Sequence, residues 1–319
     1  MRKILTVFVS ALLLTATALP ASAADKLIVL LDWFVNPDHG PLYVAEGIGA
    51  FERRNLEVTF IAPSDPNDPP KLVAARQADL AISYQPQLHV QVAQGLPLRR
   101  IGTLVATPLN SLVVLADGPI KSLADLKGKR IGFSVGGFES SVLGVMLARH
   151  GLTLDDVEMV NVNFSLSPAL YAGQVDAVIG AFRNFELNQM DIVGKPGRAF
   201  YVEAEGVPSY DELILIAHED SVHDPRNVRF LAAIEEAVQF MVNDPDGAWK
   251  LFLAANPDLD DELNRRAWRD TLPRFALRPA ALDHGRYARF AAFLEAQGLI
   301  EKALPVSEYA VEAGRQGDR

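Results

Sequence analysis

Short apolar runs recur along the chain, most of them separated by stretches of helical periodicity, and this alternation limits the possible folds more than any other feature. Lys26–Leu31, Glu57–Ile61, Leu80–Ser83, Leu98–Val105 and Leu112–Leu115 read as strands, with helices expected at Pro41–Phe51 and Pro69–Ala75. Arg130–Phe133, Val157–Val162, Ala177–Gly180 and Arg198–Tyr201 repeat the theme, with helices near Glu139–His150 and Ser167–Ala172. Strands alternating with helices specify an α/β architecture with mainly parallel sheets. After a further strand, Leu213–Ala217, helices dominate. Asp224-Pro225 and Asp244-Pro245 each place a capping aspartate before a proline at the first helical position. Leu231, Ile234, Val238 and Met241 then fall on one helical stripe.

One octapeptide is echoed. Ala75-Arg76-Gln77-Ala78-Asp79-Leu80-Ala81-Ile82 resembles Ala172-Gly173-Gln174-Val175-Asp176-Ala177-Val178-Ile179. Each reads as a helix end, a turn and a buried strand, which predicts two lobes of like topology facing each other across a cleft. Crossovers near Leu115–Pro119 and Asp211–Ile214 would make lobe one discontinuous, residues 24–115 plus 214–319, with lobe two at 116–213.

At the N-terminus, Arg2 and Lys3 precede the apolar run Ile4–Leu14, and Ala21-Ser22-Ala23 supplies small residues in the A-x-A arrangement. The pattern is that of a secretory signal peptide, residues 1–23, cleaved after Ala23 to release a protein into the periplasm. No later segment approaches the roughly 18 apolar residues of a membrane span. With no cysteine, an exported chain of this kind has no disulfide, thiolate metal site or cysteine nucleophile. A net charge of −10 without a basic stripe argues against a nucleic-acid partner. A monomer is expected.

In open α/β sheets, ligands sit beyond the carboxyl ends of the strands. The first strand is followed by Asp32, Trp33, Asn36 and His39, the third by Tyr84 and Gln85, the first strand of lobe two by Gly136, Gly137, Phe138 and Glu139, and a later one by Phe182, Asn184 and Glu186. Aromatic rings beside amides and carboxylates suit a flat polar heterocycle: Trp33, Tyr84 and Phe182 to stack, Asp32, Glu139 and Glu186 to accept from amines, Asn36, Gln85 and Asn184 to read ring nitrogens. Each also has a structural alternative. Trp33 and Tyr84 can be core, Asp32 a turn cap, Glu139 a first-turn helix acid, Glu186 a solvated helix residue and Gly136-Gly137 an ordinary turn. Alternatively Gly136, Gly137 and Arg183 could hold an anion.

Signals for catalysis and cofactors are thin. Gly132-Phe133-Ser134-Val135-Gly136 matches G-x-S-x-G between a strand and a helix, so a hydrolase using Ser134 stays open, although no histidine sits in a partner motif. Gly47-Ile48-Gly49 ends a helix instead of opening one, and no G-x-x-x-x-G-K loop is present, so no cofactor is expected. The scattered histidines give no metal-ligand spacing. His39 is expected to bond within its loop or to touch a ligand.

Asp-Trp-Phe-x-Asn-Pro-Asp-His at 32–39, Leu42-Tyr43-Val44-Ala45, the run from Ala78 to Gln85, that from Lys121 to Gly132 and that from Gly180 to Glu186 together resemble the NMT1/THI5-like substrate-binding proteins, over about residues 26–217. The resemblance implies a two-lobed type II periplasmic binding protein fold and delivery of a ligand to the permease and ATPase subunits of an ABC importer. It implies that Asp32, Trp33, Tyr84 and the Phe182–Glu186 segment line the site. The Asp-Trp and Phe-Arg-Asn-Phe-Glu segments resemble the branch that binds thiamine-precursor pyrimidines of the hydroxymethylpyrimidine or formylaminopyrimidine type. Other relatives bind alkylsulfonates, nitrate or flavin precursors. Eukaryotic relatives that are pyrimidine synthases carry a cysteine-rich motif, which this chain lacks.

Overall fold

The computed structural model describes residues 23–314. The signal segment expected over 1–23 therefore lies, Ala23 apart, outside the described residues. Along the chain run β1 (Asp25–Leu30), α1 (Gly40–Gly47), β2 (Leu56–Ile61), α2 (Pro69–Ala74), β3 (Leu80–Ser83), α3 (Gln85–Ala93), β4 (Leu98–Val105) and β5 (Asn110–Leu115). Then come β6 (Arg130–Phe133), α4 (Phe138–Ala148), β7 (Glu158–Asn161), α5 (Leu166–Tyr171), β8 (Ala177–Phe182), α6 (Glu186–Ile192), β9 (Gly197–Tyr201) and β10 (Leu213–His218). Helices α7 (Pro225–Asn243), α8 (Pro245–Ala255), α9 (Glu262–Thr271) and α10 (His284–Ala296) complete the chain.

The strands form two five-stranded sheets, ordered β2-β1-β3-β10-β4 and β7-β6-β8-β5-β9. In each, four strands point the same way and the strand in the fourth position, β10 or β5, runs antiparallel to both its neighbours. The echoed octapeptides lead into β3 and β8, which hold the same place in their sheets. The expected crossover near Leu115–Pro119 needs correction: β5 pairs with β8 and β9, so the chain has already entered the second sheet at Asn110. The apolar run of β5 is continuous because it is a central strand, and continuity alone does not say in which sheet it is central.

Burial follows position. All four residues of β3 are buried, as befits a central strand, whereas the edge strand β2 alternates inward and outward. The α7 stripe of Leu231, Ile234, Val238 and Met241 is buried. Asp224 accepts from Arg226 N at 2.8 Å and Asp244 from Gly247 N at 2.9 Å, so both proline-marked starts are capped. Helix α3 was not expected: Leu88, Val90 and Val92 alternate with a strand's period, but Pro86 in its first turn favours helix initiation. Among the described residues, no helix is long and apolar enough to cross a membrane.

Candidate functional site

A cavity lies where the carboxyl ends of β1 and β3 face those of β6 and β8. Asp32, Trp33, Asn36 and Asp38 reach it from the loop after β1, and Tyr84 from the end of β3. Val135, Phe138, Glu139 and Leu166 come from the second lobe, with Gly180, Phe182, Phe185 and Glu186 around the end of β8 and Asn110 at the start of β5.

The β1 loop is locked by its own hydrogen bonds. Asn36 Oδ1 accepts from Asp38 N at 2.8 Å, while Asn36 N donates to His39 Nδ1 at 3.3 Å. With Nδ1 accepting, His39 carries its proton on Nε2, which meets Asp32 Oδ1 at 2.9 Å. Tyr84 donates its hydroxyl to Asp32 Oδ2 at 2.8 Å. Asp32 is thereby an oriented, buried acceptor. Burial beside this carboxylate pushes the Tyr84 hydroxyl well up, so it stays protonated as a donor.

Glu139 and Glu186 are tied to backbone amides, Ser134 N donating to Glu139 at 2.8 Å and Phe182 N to Glu186 at 2.6 Å. Burial nevertheless raises both carboxyls to about 8, and Asp38 to about 6. Rings surround these groups: Tyr84 stacks on Phe138 at 5.7 Å and meets Phe182 edge-on at 6.3 Å. Trp33, half-buried, crosses to the other lobe and packs edge-on against Phe164 at 4.6 Å. No lysine or arginine is among the described residues lining the cavity. No three of the described acids and histidines are grouped as metal ligands would be. The arrangement can accept hydrogen bonds from amines and sandwich a flat ring; it offers no counter-charge to an oxyanion.

The NMT1/THI5-like family model matches residues 36–248. The chain belongs to this family. Among its relatives, a Haemophilus influenzae protein named for thiamine biosynthesis is 54% identical over 96% of each chain. The formylaminopyrimidine-binding protein of Halalkalibacterium halodurans is 33% identical over 75% of this chain and 73% of its own. Among solved structures, the alkanesulfonate-binding protein SsuA of Xanthomonas axonopodis pv. citri, bound to MOPS, superposes with a TM-score of 0.70 at 19% identity, covering 91% of this chain and 99% of its own. The fold is thus the two-lobed type II periplasmic binding protein fold.

Within this NMT1/THI5-like chain, Asp32, Trp33, Asn36, Tyr84, Phe138, Glu139, Phe182 and Glu186 all line the cavity. His39, Gln85, Gly136, Gly137 and Asn184 do not. His39 bonds within its loop, behind Asp32. Gln85 turns away at the start of α3, where its Oε1 accepts from Asp211 N at 2.8 Å. Gly136 N is spent on Asn67 Oδ1 at 2.8 Å, a contact between the lobes, and Gly137 takes φ +78° at the start of α4. Asn184 lies one layer back, donating to Asp38 and Thr271. Arg183 pairs with Glu203 at 2.6 and 2.8 Å, outside the cavity. Ser134 gives its hydroxyl proton to the Asn163 carbonyl, a poor start for a nucleophile. Asp38, Asn110, Val135, Leu166 and Gly180 line the cavity without being expected there, although Asp38, Val135 and Gly180 stand inside segments singled out in the sequence; Phe185 belongs to the Phe182–Glu186 segment that the resemblance implies.

Proposed function

We propose that the protein is the periplasmic binding component of an ABC importer and that its inter-lobe cavity takes a thiamine-precursor pyrimidine of the hydroxymethylpyrimidine or formylaminopyrimidine type. In this reading the ring enters between the lobes, stacks among Trp33, Tyr84 and Phe182, and gives its amine hydrogens to the carboxyls. The closed form then docks on the permease, which the ATPase drives. The observation that carries the reading is the cavity's chemistry: aromatic walls, the carboxyls of Asp32, Asp38, Glu139 and Glu186, and no basic side chain among the described residues that line it. Such a site favours an amine-bearing heterocycle over a sulfonate or nitrate, whose charge would meet only acids. The name of the Halalkalibacterium halodurans relative points to the same ligand class.

Thermal unfolding against aminopyrimidines, thiamine, riboflavin, taurine, an alkylsulfonate and nitrate tests the ligand. A ligand at about 100 times its dissociation constant adds about 2.7 kcal/mol and moves the midpoint by several degrees. A shift with aminopyrimidines alone is expected; a shift only with sulfonate or nitrate would overturn the pyrimidine assignment. Export is tested separately, by expressing the full chain in a Gram-negative host and sequencing the N-terminus of the periplasmic product. A start at Ala24 is expected.

A further inference from the structure

We infer that Asn110 selects which edge of the ring the site accepts, its Nδ2 donating to a ring nitrogen while Glu139, on the other side of Gly180, accepts from the neighbouring exocyclic amine. The inference rests on the pyrimidine reading and adds to it a specific recognition motif, the amidine edge N=C–NH2.

Asn110 is fully buried yet lines the cavity. Its Oδ1 accepts from Gly180 N at 3.0 Å, and this fixes the amide's orientation, because a flipped NH2 would face another donor. Its backbone is pinned as well: its N donates to Glu212 at 2.9 Å and its carbonyl accepts from Arg183 at 3.1 Å. The side chain therefore cannot swing away to find another acceptor. Its Nδ2 has no hydrogen-bond partner among the described residues. Buried polar groups are rarely left unpaired, and one anchored this firmly in a cavity wall is a donor held ready for what enters.

Glu139 supplies the adjacent acceptor. Gly180 has φ +94°, and any Cβ there would overlap the Glu139 carboxyl. Gly180 therefore carries both groups, with Asn110 on its N–H and Glu139 against its Cα. Whether protonated or not, a carboxyl keeps an acceptor oxygen. A donor beside an acceptor complements an amidine edge. A 4-oxopyrimidine presents N–H and C=O in the reverse order, and a site built for one edge leaves its polar groups unpaired against the other.

Calorimetric titration with 4-amino-5-hydroxymethyl-2-methylpyrimidine and its 4-oxo counterpart tests this. The wild-type protein is expected to prefer the amino form by about 100-fold or more. Asn110→Asp keeps the oxygen on Gly180 and loses the NH2. It is expected to weaken the amino ligand at least about tenfold and to shrink the amino/oxo ratio, a change that a merely structural role would not produce. Unchanged affinity and ratio in this variant would overturn the inference while leaving the pyrimidine reading intact. Equal affinity of the wild-type protein for both ligands would overturn it too, and this arm stands even where the variant fails to fold. Binding of neither ligand, with no binding of the formylaminopyrimidine either, would sink the pyrimidine reading itself.

Discussion

Asn184 Nδ2 donates to Asp38 Oδ1 at 2.6 Å, joining a residue at the end of the second lobe's β8 to one in the first lobe's β1 loop. The same amide nitrogen reaches Thr271 Oγ1 at 2.7 Å, and Thr271 donates to Asp38 at 2.8 Å, closing a small buried network across the cleft. Asn67 makes a second bridge, accepting from Gly136 N and donating to the Ser134 carbonyl at 3.2 Å. These contacts hold the two lobes together beside the cavity, which Asp38 lines and Asn184 and Asn67 do not, so any opening of the cleft has to break them.

Asn184→Ala should therefore weaken ligand binding through closure. Losing a buried hydrogen bond to a carboxylate costs about 1.5–3 kcal/mol, roughly 10- to 150-fold in the equilibrium. Stopped-flow fluorescence should show a faster ligand off-rate, with a larger radius of gyration by small-angle scattering. An unchanged off-rate would mean that the network contributes nothing to closure.

Trp33→Ala removes a wall of the cavity and the edge contact with Phe164. By analogy with base–aromatic stacking, binding should weaken by about 1–3 kcal/mol, or about 5- to 150-fold. Titration calorimetry at 25 °C is the check. Affinity equal to the wild-type value would place Trp33 outside the ligand's contacts.

Why the strand-end rule found most of this site, and where it stopped, follows from strand direction. Parallel strands β1, β3, β6 and β8 all deliver their carboxyl ends to the cleft, so Asp32, Tyr84, Glu139 and Glu186 could be read from position alone. Asn110 could not, because β5 runs antiparallel to β8 and presents its first residue there, not its last. Gln85 fails for the complementary reason: one residue past Tyr84 the chain is already helical, and the side chain points to Asp211. Gly180 and Glu139 could be recognised as a pair only once β8 and α4 were packed together.

Arg100 should govern stability, not binding. The side chain is fully buried, donating to the carbonyls of Ala280 and Val311 at 3.1 Å, Pro279 at 3.2 Å and Ala281, and to Thr103 Oγ1 at 2.8 Å. It ties the segment before α10 and the C-terminal Tyr309–Val311 segment to β4. Arg100→Met leaves these carbonyls without their donor and should cost about 3 kcal/mol, read as a drop of several degrees in the unfolding midpoint. Cleavage after Arg99 aside, proteolysis should now trim the C-terminal segment, while ligand affinity at 25 °C stays within about twofold.

The buried acids predict an unusual pH dependence for the ligand-free protein. Burial lifts Glu139 and Glu186 to about 8 and Glu212 to about 7, whereas in the unfolded chain each loses its proton near 4.5. Between those values the folded state binds more protons than the unfolded one. Their contribution is full below about pH 4.5 and is lost as pH rises through 7 to 8. His89 acts oppositely: burial lowers it to about 3, so it gives up stability as pH falls below 6.5. The acids with lowered values, such as Asp125 and Glu236, also act only at lower pH. From pH 6.5 to 8.5 the buried glutamates therefore dominate, and the unfolding midpoint should fall steadily. Glu139→Gln removes one of the titrating groups and keeps an acceptor oxygen for Ser134 N, so its midpoint should fall less over the same interval. Parallel slopes in the two proteins would show that Glu139 is ionised throughout and that the cavity already solvates its charge.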